Sequence, residues 1–188
     1  MAKNPRITGI ERTFAPEEII VSKTDLKGRV LYANDVFLRV AGYTEEEVLG
    51  EPHNLVRHPD MPRTVFRVLW DTIAEGREIF AYVLNRCKNG DHYWVLAHVT
   101  PTFGPDGQVM EYHSTRYAPD PACVKAIEPV YKALLDEENS HSNRKEGLEK
   151  GLALLGKVLA DKGVTYDEFI FSLINGGAGA KQMAAGRV

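Results

Sequence analysis

Short apolar, β-rich runs at EIIVSKT (18–24) and RVLYA (29–33) read as a strand and its returning partner. DLKG between them supplies a turn, so the pair reads as a hairpin with Asp25 and Gly28 in its loop. Asn34-Asp35 then precedes VFLRVAG, where an Asx residue is a good helix N-cap. Thr44 and Glu47 in TEEEVLG have capping-box spacing and predict a second short helix, with Gly42 and Gly50 as stops. In MPRTVFRVLWDTIAEG (61–76), Val65, Val68, Leu69 and Ile73 fall on one face at helical spacing, and Pro62 suits the first turn. EIFAYVLNRCK, Asn89-Gly90 and DHYWVLAHVTPTF form the clearest hairpin pattern, since Asn-Gly is a preferred two-residue turn. GPDG (104–107) turns the chain again into QVMEYHSTRY.

From Pro119 the period becomes helical. PACVKAIEPVYKALLDEEN predicts a connecting helix over 119–138, interrupted or bent near Pro129. SHSNRK (140–145) reads as a linker. EGLEKGLALLGKVLADKG and TYDEFIFSLIN read as a helical pair, so that 139–175 is a helical extension. The small-residue stretch 176–188 is expected to be disordered. Residues 1–17 read as an irregular N-terminal arm in which Ile7, Ile10 and Phe14 could pack against the domain. The order β-β-α-α-α-β-β-β over 18–118 predicts an α+β domain: one antiparallel sheet with its helices on one face.

Composition narrows the function. The 188 residues carry a net charge of −3, with 44% hydrophobic and 26% charged residues, which offers no basic footprint for nucleic acid. Cys87 and Cys123 are too few for a disulfide framework and lack zinc-site spacing. No run approaches the ~18 apolar residues of a membrane helix, and the N-terminus has no apolar signal-peptide core. The expectation is a cytoplasmic protein with no direct membrane insertion.

The chemistry-bearing stretch is HNLVRHPDMP (53–62), with two histidines, an arginine and an aspartate. A metal site is a poor reading, because His53 and His58 lie five apart in a proline-bounded loop without an HExxH pattern. No nucleophile motif such as GxSxG occurs, so no enzyme is expected. Asp60 is open to two readings, a helix cap or a site residue. Arg57 is equally readable as a surface pair with Asp60 or Glu51.

TDLKGRVLYANDVF (24–37), AGYTEEEVLGEPHNLVRHPDMPRTVF (41–66), NRCKNGDHYWV (85–95) and EPVYKAL (128–134) together resemble the PAS domains of bacterial energy-taxis sensors of the aerotaxis type. The resemblance implies a PAS fold, a five-stranded antiparallel sheet cupping a pocket under its helices, here with a C-terminal helical extension. It implies non-covalently bound FAD, and a redox signal passed to a chemoreceptor or other signalling protein, with a homodimer possible. Asn34, His53, Arg57, His58, Asp60, Trp70 and Asn85 match positions tied to cofactor binding or signalling in that family. Chemically, Arg57 suits a diphosphate, Asn85 a ring carbonyl and imide edge, Trp70 a ring face, and His53 or His58 a change of charge. The chain departs from the pattern at Glu78-Ile79, where flavin-binding relatives carry a Pro-Trp pair. Phe80, next along, is expected on the other face of its strand. The alternatives are a ligand-free PAS docking or dimerisation module and a haem- or small-molecule-sensing PAS domain.

Overall fold

A computed structural model describes residues 7–176. Five strands, β1 (Ile20–Thr24), β2 (Val30–Ala33), β3 (Ile79–Arg86), β4 (His92–Phe103) and β5 (Val109–Tyr117), form one antiparallel sheet in the order β2-β1-β5-β4-β3. The helices are α1 (Asp35–Ala41), α2 (Arg63–Ala74), α3 (Pro121–Ser140), α4 (Arg144–Lys162) and α5 (Tyr166–Gly176). The α+β class and the C-terminal helical extension are those expected from the sequence.

The chain divides into two units. The first comprises residues 1–59 and 70–118; the second comprises 60–69 and 119–188. α2 is shared along its length, with Arg63–Leu69 counted in the second unit and Trp70–Ala74 in the first.

In the first unit, Asn34 caps α1 as its position predicted. Its side-chain oxygen accepts from the Phe37 and Val21 amides, both at 3.0 Å, and its nitrogen donates to Ile19 O at 2.8 Å, so one carboxamide pins α1 to β1. The expected helix at TEEEVLG is only a capped turn. Thr44 N donates to Glu47 at 3.1 Å as a capping box should, yet the chain cannot propagate. Gly50 (φ 78°) turns it so that Gly50 and Glu51 pair with Val30 on the free edge of β2. Tertiary pairing here outweighs a short helix, whose nucleation is unfavourable.

The arm is irregular but held. Arg12 N donates to His92 O (2.7 Å), and His92 N donates to Ile10 O (2.9 Å). Asp91 accepts from Thr8 Oγ1 (2.7 Å), Arg12 Nε (2.8 Å) and Asn89 Nδ2 (2.8 Å), which ties the arm to the Asn-Gly turn. These bonds lower the Asp91 pKa to about 2.

In the second unit α3 packs with α4 and α5. Its buried stripe is Cys123, Ile127, Tyr131, Leu134 and Glu138. The predicted interruption at Pro129 does not occur, and the helix runs through it. The cost of a mid-helix proline, ~3 kcal/mol, is met by packing on either side of it, where Ile127 and Tyr131 are buried. The tail assigned to 176–188 lies, from residue 177 on, outside the described residues.

Candidate functional site

Residues paired across an antiparallel ladder point to the same face. The registers Ile79↔Val99, Ala81↔Ala97, Val83↔Val95 and Asn85↔Tyr93 join Ala97↔Arg116, Val99↔Ser114, Ile20↔Arg116, Ser22↔Ser114 and Thr24↔Tyr112. One face of the sheet therefore carries Asn85, Tyr93, Arg116, Ser114, Ser22 and Tyr112 among small and β-branched residues. Ile79 lies on this face. Phe80 lies on the other, as expected, stacked on His98 at 4.1 Å and 2°.

The stretch 50–57 closes over that face. At one end, Val30 N donates to Glu51 O (2.9 Å) and His53 N donates to Gly28 O (2.8 Å), using the free edge of β2. At the other, Arg57 bridges Asn85 on the free edge of β3, and Arg86 Nη2 donates to Leu55 O at 3.2 Å. In a flat five-stranded sheet these outer positions would lie about six strand spacings apart, ~29 Å. The six steps from Glu51 to Arg57 reach at most ~21 Å, and part of the path is the 3-10 helix His53–Val56. The sheet must curl, and its concave face is the cup.

His53 hangs from this bridge to meet the floor. Its Nε2 accepts from Arg116 Nη2 at 2.6 Å and lies 3.2 Å from Ser22 Oγ. Nε2 is therefore unprotonated and the ring neutral. Burial, and next the Arg116 charge, lower the imidazole pKa to about 3. The same Nη2 donates to Ser22 Oγ at 2.8 Å, and the guanidinium lies 5.7 Å from the centre of the Phe37 ring, a cation–π distance.

Arg116 is the unexpected residue. It is 5% exposed, and burial lowers its pKa to about 10, which leaves it cationic at neutral pH. Among the described residues no carboxylate pairs with it, and its Nη1 has no hydrogen-bond partner. On the same face the Ser114 Oγ and Tyr93 hydroxyl are buried without partners, and burial raises the Tyr93 pKa. A buried cation costs several kcal/mol unless something negative or strongly accepting meets it. Three buried donors on one face, without an acceptor among the described residues, are a lining suited to a bound molecule rich in acceptors.

The structure gathers some of the sequence-derived candidates and separates others. His53 and Asn85 belong to the cup, and Asn85 is 4% exposed. Arg57 lies beside Asn85 through its backbone. His58 is 3% exposed and meets the His92 ring edge-on at 5.7 Å. Trp70 stands edge-to-face with Tyr112 at 5.7 Å and lies over Gly28, where an added Cβ would be 3.0 Å from its indole. Asn34 is committed to backbone. Asp60 is exposed and belongs to the second unit; the first amides of α2, those of Arg63 and Thr64, are taken by Glu138. Sequence reasoning missed Arg116, Ser114, Ser22 and Tyr93. The available signal was the strand parity of EYHSTRY, which puts Tyr112, Ser114 and Arg116 in one phase. Cys87 is no candidate nucleophile: buried, it donates to Val40 O at 3.3 Å, and burial raises its pKa to about 11.

Residues 30–116 match the family described as PAS fold. The aerotaxis receptor of Escherichia coli is 42% identical over 134 residues, which is 71% of this chain and 26% of the receptor. A blue-light-activated histidine kinase of Rhizobium johnstonii is 30% identical over 107 residues, 56% of this chain and 30% of the kinase. A light-oxygen-voltage domain solved in a study of a flavin analogue superposes with a TM-score of 0.52 at 22% identity, covering 65% of this chain and 87% of that one. The chain thus spans about a quarter of the receptor's length.

Proposed function

We propose that this chain, whose residues 30–116 form a PAS domain of the kind found in the aerotaxis receptor, is a redox sensor. In this reading it holds FAD non-covalently in the cup and passes the flavin's state to a partner receptor or chemotaxis signalling protein in the cytoplasm. The observation that carries this reading is the buried Arg116 cation, which has an unpartnered Nη1 and no carboxylate among the described residues.

A bound flavin supplies a reversible electron store whose reduced form is richer in negative charge. The chain's residues fit such a group. Arg116 would supply a fixed positive charge to such a group, and His53, held neutral, keeps that guanidinium in position. Ser114 Oγ and the Tyr93 hydroxyl offer donors on the same floor. Asn85 faces the cup with a carboxamide that both donates and accepts. Ala81, Ala97, Val83 and Val95 form a low wall on which a flat ring can lie. Ile79 takes the place of the family's tryptophan and contributes apolar surface without stacking. A haem is less well served, because His53 Nε2, the nitrogen that would ligate iron, is already occupied by Arg116.

Relatives named as a receptor and a histidine kinase support a signalling output. No helix among the described residues is long and apolar enough to cross a membrane. No step here asks the side chains for catalysis. The test is the absorption spectrum of the purified protein, with the released cofactor identified by chromatography. Flavin bands and FAD are expected. A preparation that stays colourless after incubation with FAD refutes the proposal, and a Soret band transfers the site to haem.

A further inference from the structure

Strand register fixes where the buried guanidinium of Arg116 lies. Arg116 stands opposite Ile20, and Ser114 stands opposite Ser22, the next rung along the same face. Arg116 Nη2 nevertheless donates to Ser22 Oγ at 2.8 Å. The side chain must therefore lean back along β5 by two residues, ~7 Å, which brings the guanidinium over the Ser22–Ser114 rung. Directly opposed residues have Cβ atoms ~5 Å apart, so the Ser114 hydroxyl lies beside the guanidinium as well. Both hydrogens of Nη2 are spent, one on Ser22 Oγ and one on Nε2 of His53, at 2.6 Å, which hangs from the strap formed by residues 50–57. Nη1 and Ser114 Oγ are buried and have no partner among the described residues. Tyr93, also unpartnered, belongs to a different rung, opposite Asn85.

We propose that Arg116 Nη1 and Ser114 Oγ form a binding site for a small monovalent anion, with chloride as its commonest occupant. The sign follows from the chemistry. Both groups donate, and the guanidinium stays charged at neutral pH. His53 is neutral and Ser22 uncharged, so neither balances it. A water would accept from Nη1 but leave the buried charge unbalanced. The valence follows from the count: one cation is buried here, and a second negative charge would in turn be left without a partner. The size follows from the packing. Arg116 is 5% and Ser114 9% exposed, so a ligand that meets both without rearranging the cup is small. The site does not depend on the flavin reading; where that reading holds, anion and flavin compete for one guanidinium.

The probe is chloride, and the protein is the full chain freed of any flavin. Its thermal midpoint is followed by circular dichroism as chloride replaces gluconate, a long polyhydroxy acid, at constant ionic strength. A single charge-assisted bond gives a Kd on the order of 10–100 mM, which predicts a rise of about 3–5 °C at ~0.5 M chloride. Nitrate should act like chloride, and sulfate should add nothing beyond its effect on Arg116→Gln. Arg116→Gln should abolish the chloride rise. Ser114→Ala, which keeps the cation and decides the matter should Arg116→Gln not fold, should weaken chloride binding by about fivefold. Lys23→Gln, which removes a half-exposed cation from the opposite face of the sheet, should leave the rise intact. No rise in wild type, a rise unchanged in Ser114→Ala, or an equal site-dependent rise with sulfate would each overturn the proposal. On the flavin reading, the apparent Kd for FAD should also rise about tenfold over the same exchange of anions. A chain that shows the chloride rise yet takes up no FAD sinks the flavin reading and leaves the anion site standing; FAD uptake without the chloride rise does the reverse.

Discussion

Acid should loosen this protein through His53. In the unfolded chain an imidazole titrates near ~6.5, whereas in the fold burial, and next the Arg116 charge, hold it at about 3. Between those values the unfolded chain binds the extra proton, so stability falls as pH drops below about 6.5 and levels off only near the folded value. Over the interval from pH 7 to pH 5 the unfolded chain's protonation amounts to about 2 kcal/mol of lost stability, from ~1.4 kcal/mol per pH unit once the group titrates. That is a substantial share of the ~5–15 kcal/mol of a typical domain. The comparison that isolates it is wild type against His53→Gln, whose amide still accepts from Arg116 but does not titrate. Urea unfolding followed by circular dichroism at pH 7 and pH 5 should show wild type losing about 2 kcal/mol more than the variant. Equal losses in the two proteins would refute the view that the His53 ring is held neutral beside a buried cation.

Other outcomes follow from the cup and the arm. Arg116→Gln, which removes the charge but keeps a donor, should weaken FAD retention by about ten- to a hundredfold, the range for a charge-assisted bond of ~1.5–3 kcal/mol; unchanged affinity by flavin fluorescence titration would displace Arg116 from the ligand. Asn85→Ala should cost ~1–3 kcal/mol of binding with the fold intact by circular dichroism. Arg57→Ala should lower FAD affinity more than FMN affinity if its guanidinium serves the diphosphate or adenylate half, and equal losses would move it to the ring. Asp91→Asn should free the arm, seen as faster proteolysis within 7–17. The depressed Asp91 pKa of about 2 means that its contribution is complete above the ordinary carboxylate range and is lost as pH falls toward 2, so arm protection in wild type should fade in that window.

Much of the sheet was legible because its signals are local. The β-forming run 79–86, the Asn-Gly turn and the Asn34 cap each involve residues a few positions apart, and strand parity alone sent Asn85 inward and Phe80 outward. The site's central charge was not legible. An arginine in a strand is most often exposed, and Arg116 finds His53 and Ser22 at separations of 63 and 94 residues. Glu138 sits in the acidic run DEEN and looks like any solvated helix residue; only the folded chain places it under the first turn of α2. At TEEEVLG the capping signal was read correctly and the length was not, because the pairing of Gly50 and Glu51 with β2 cannot be seen from propensity.

The strap has a consequence beyond the cup. It pairs with the free hydrogen-bonding edge of β2 through Gly50–His53 and bridges the edge of β3 at Asn85 through Arg57. Exposed strand edges template pairing with other chains. Any motion that lifts the strap therefore uncovers the β2 edge and the Asn85 end of the β3 edge in the same event. On the proposed reading, ligand exchange and self-association would share one opened species, so a bound occupant would act as a guard against aggregation.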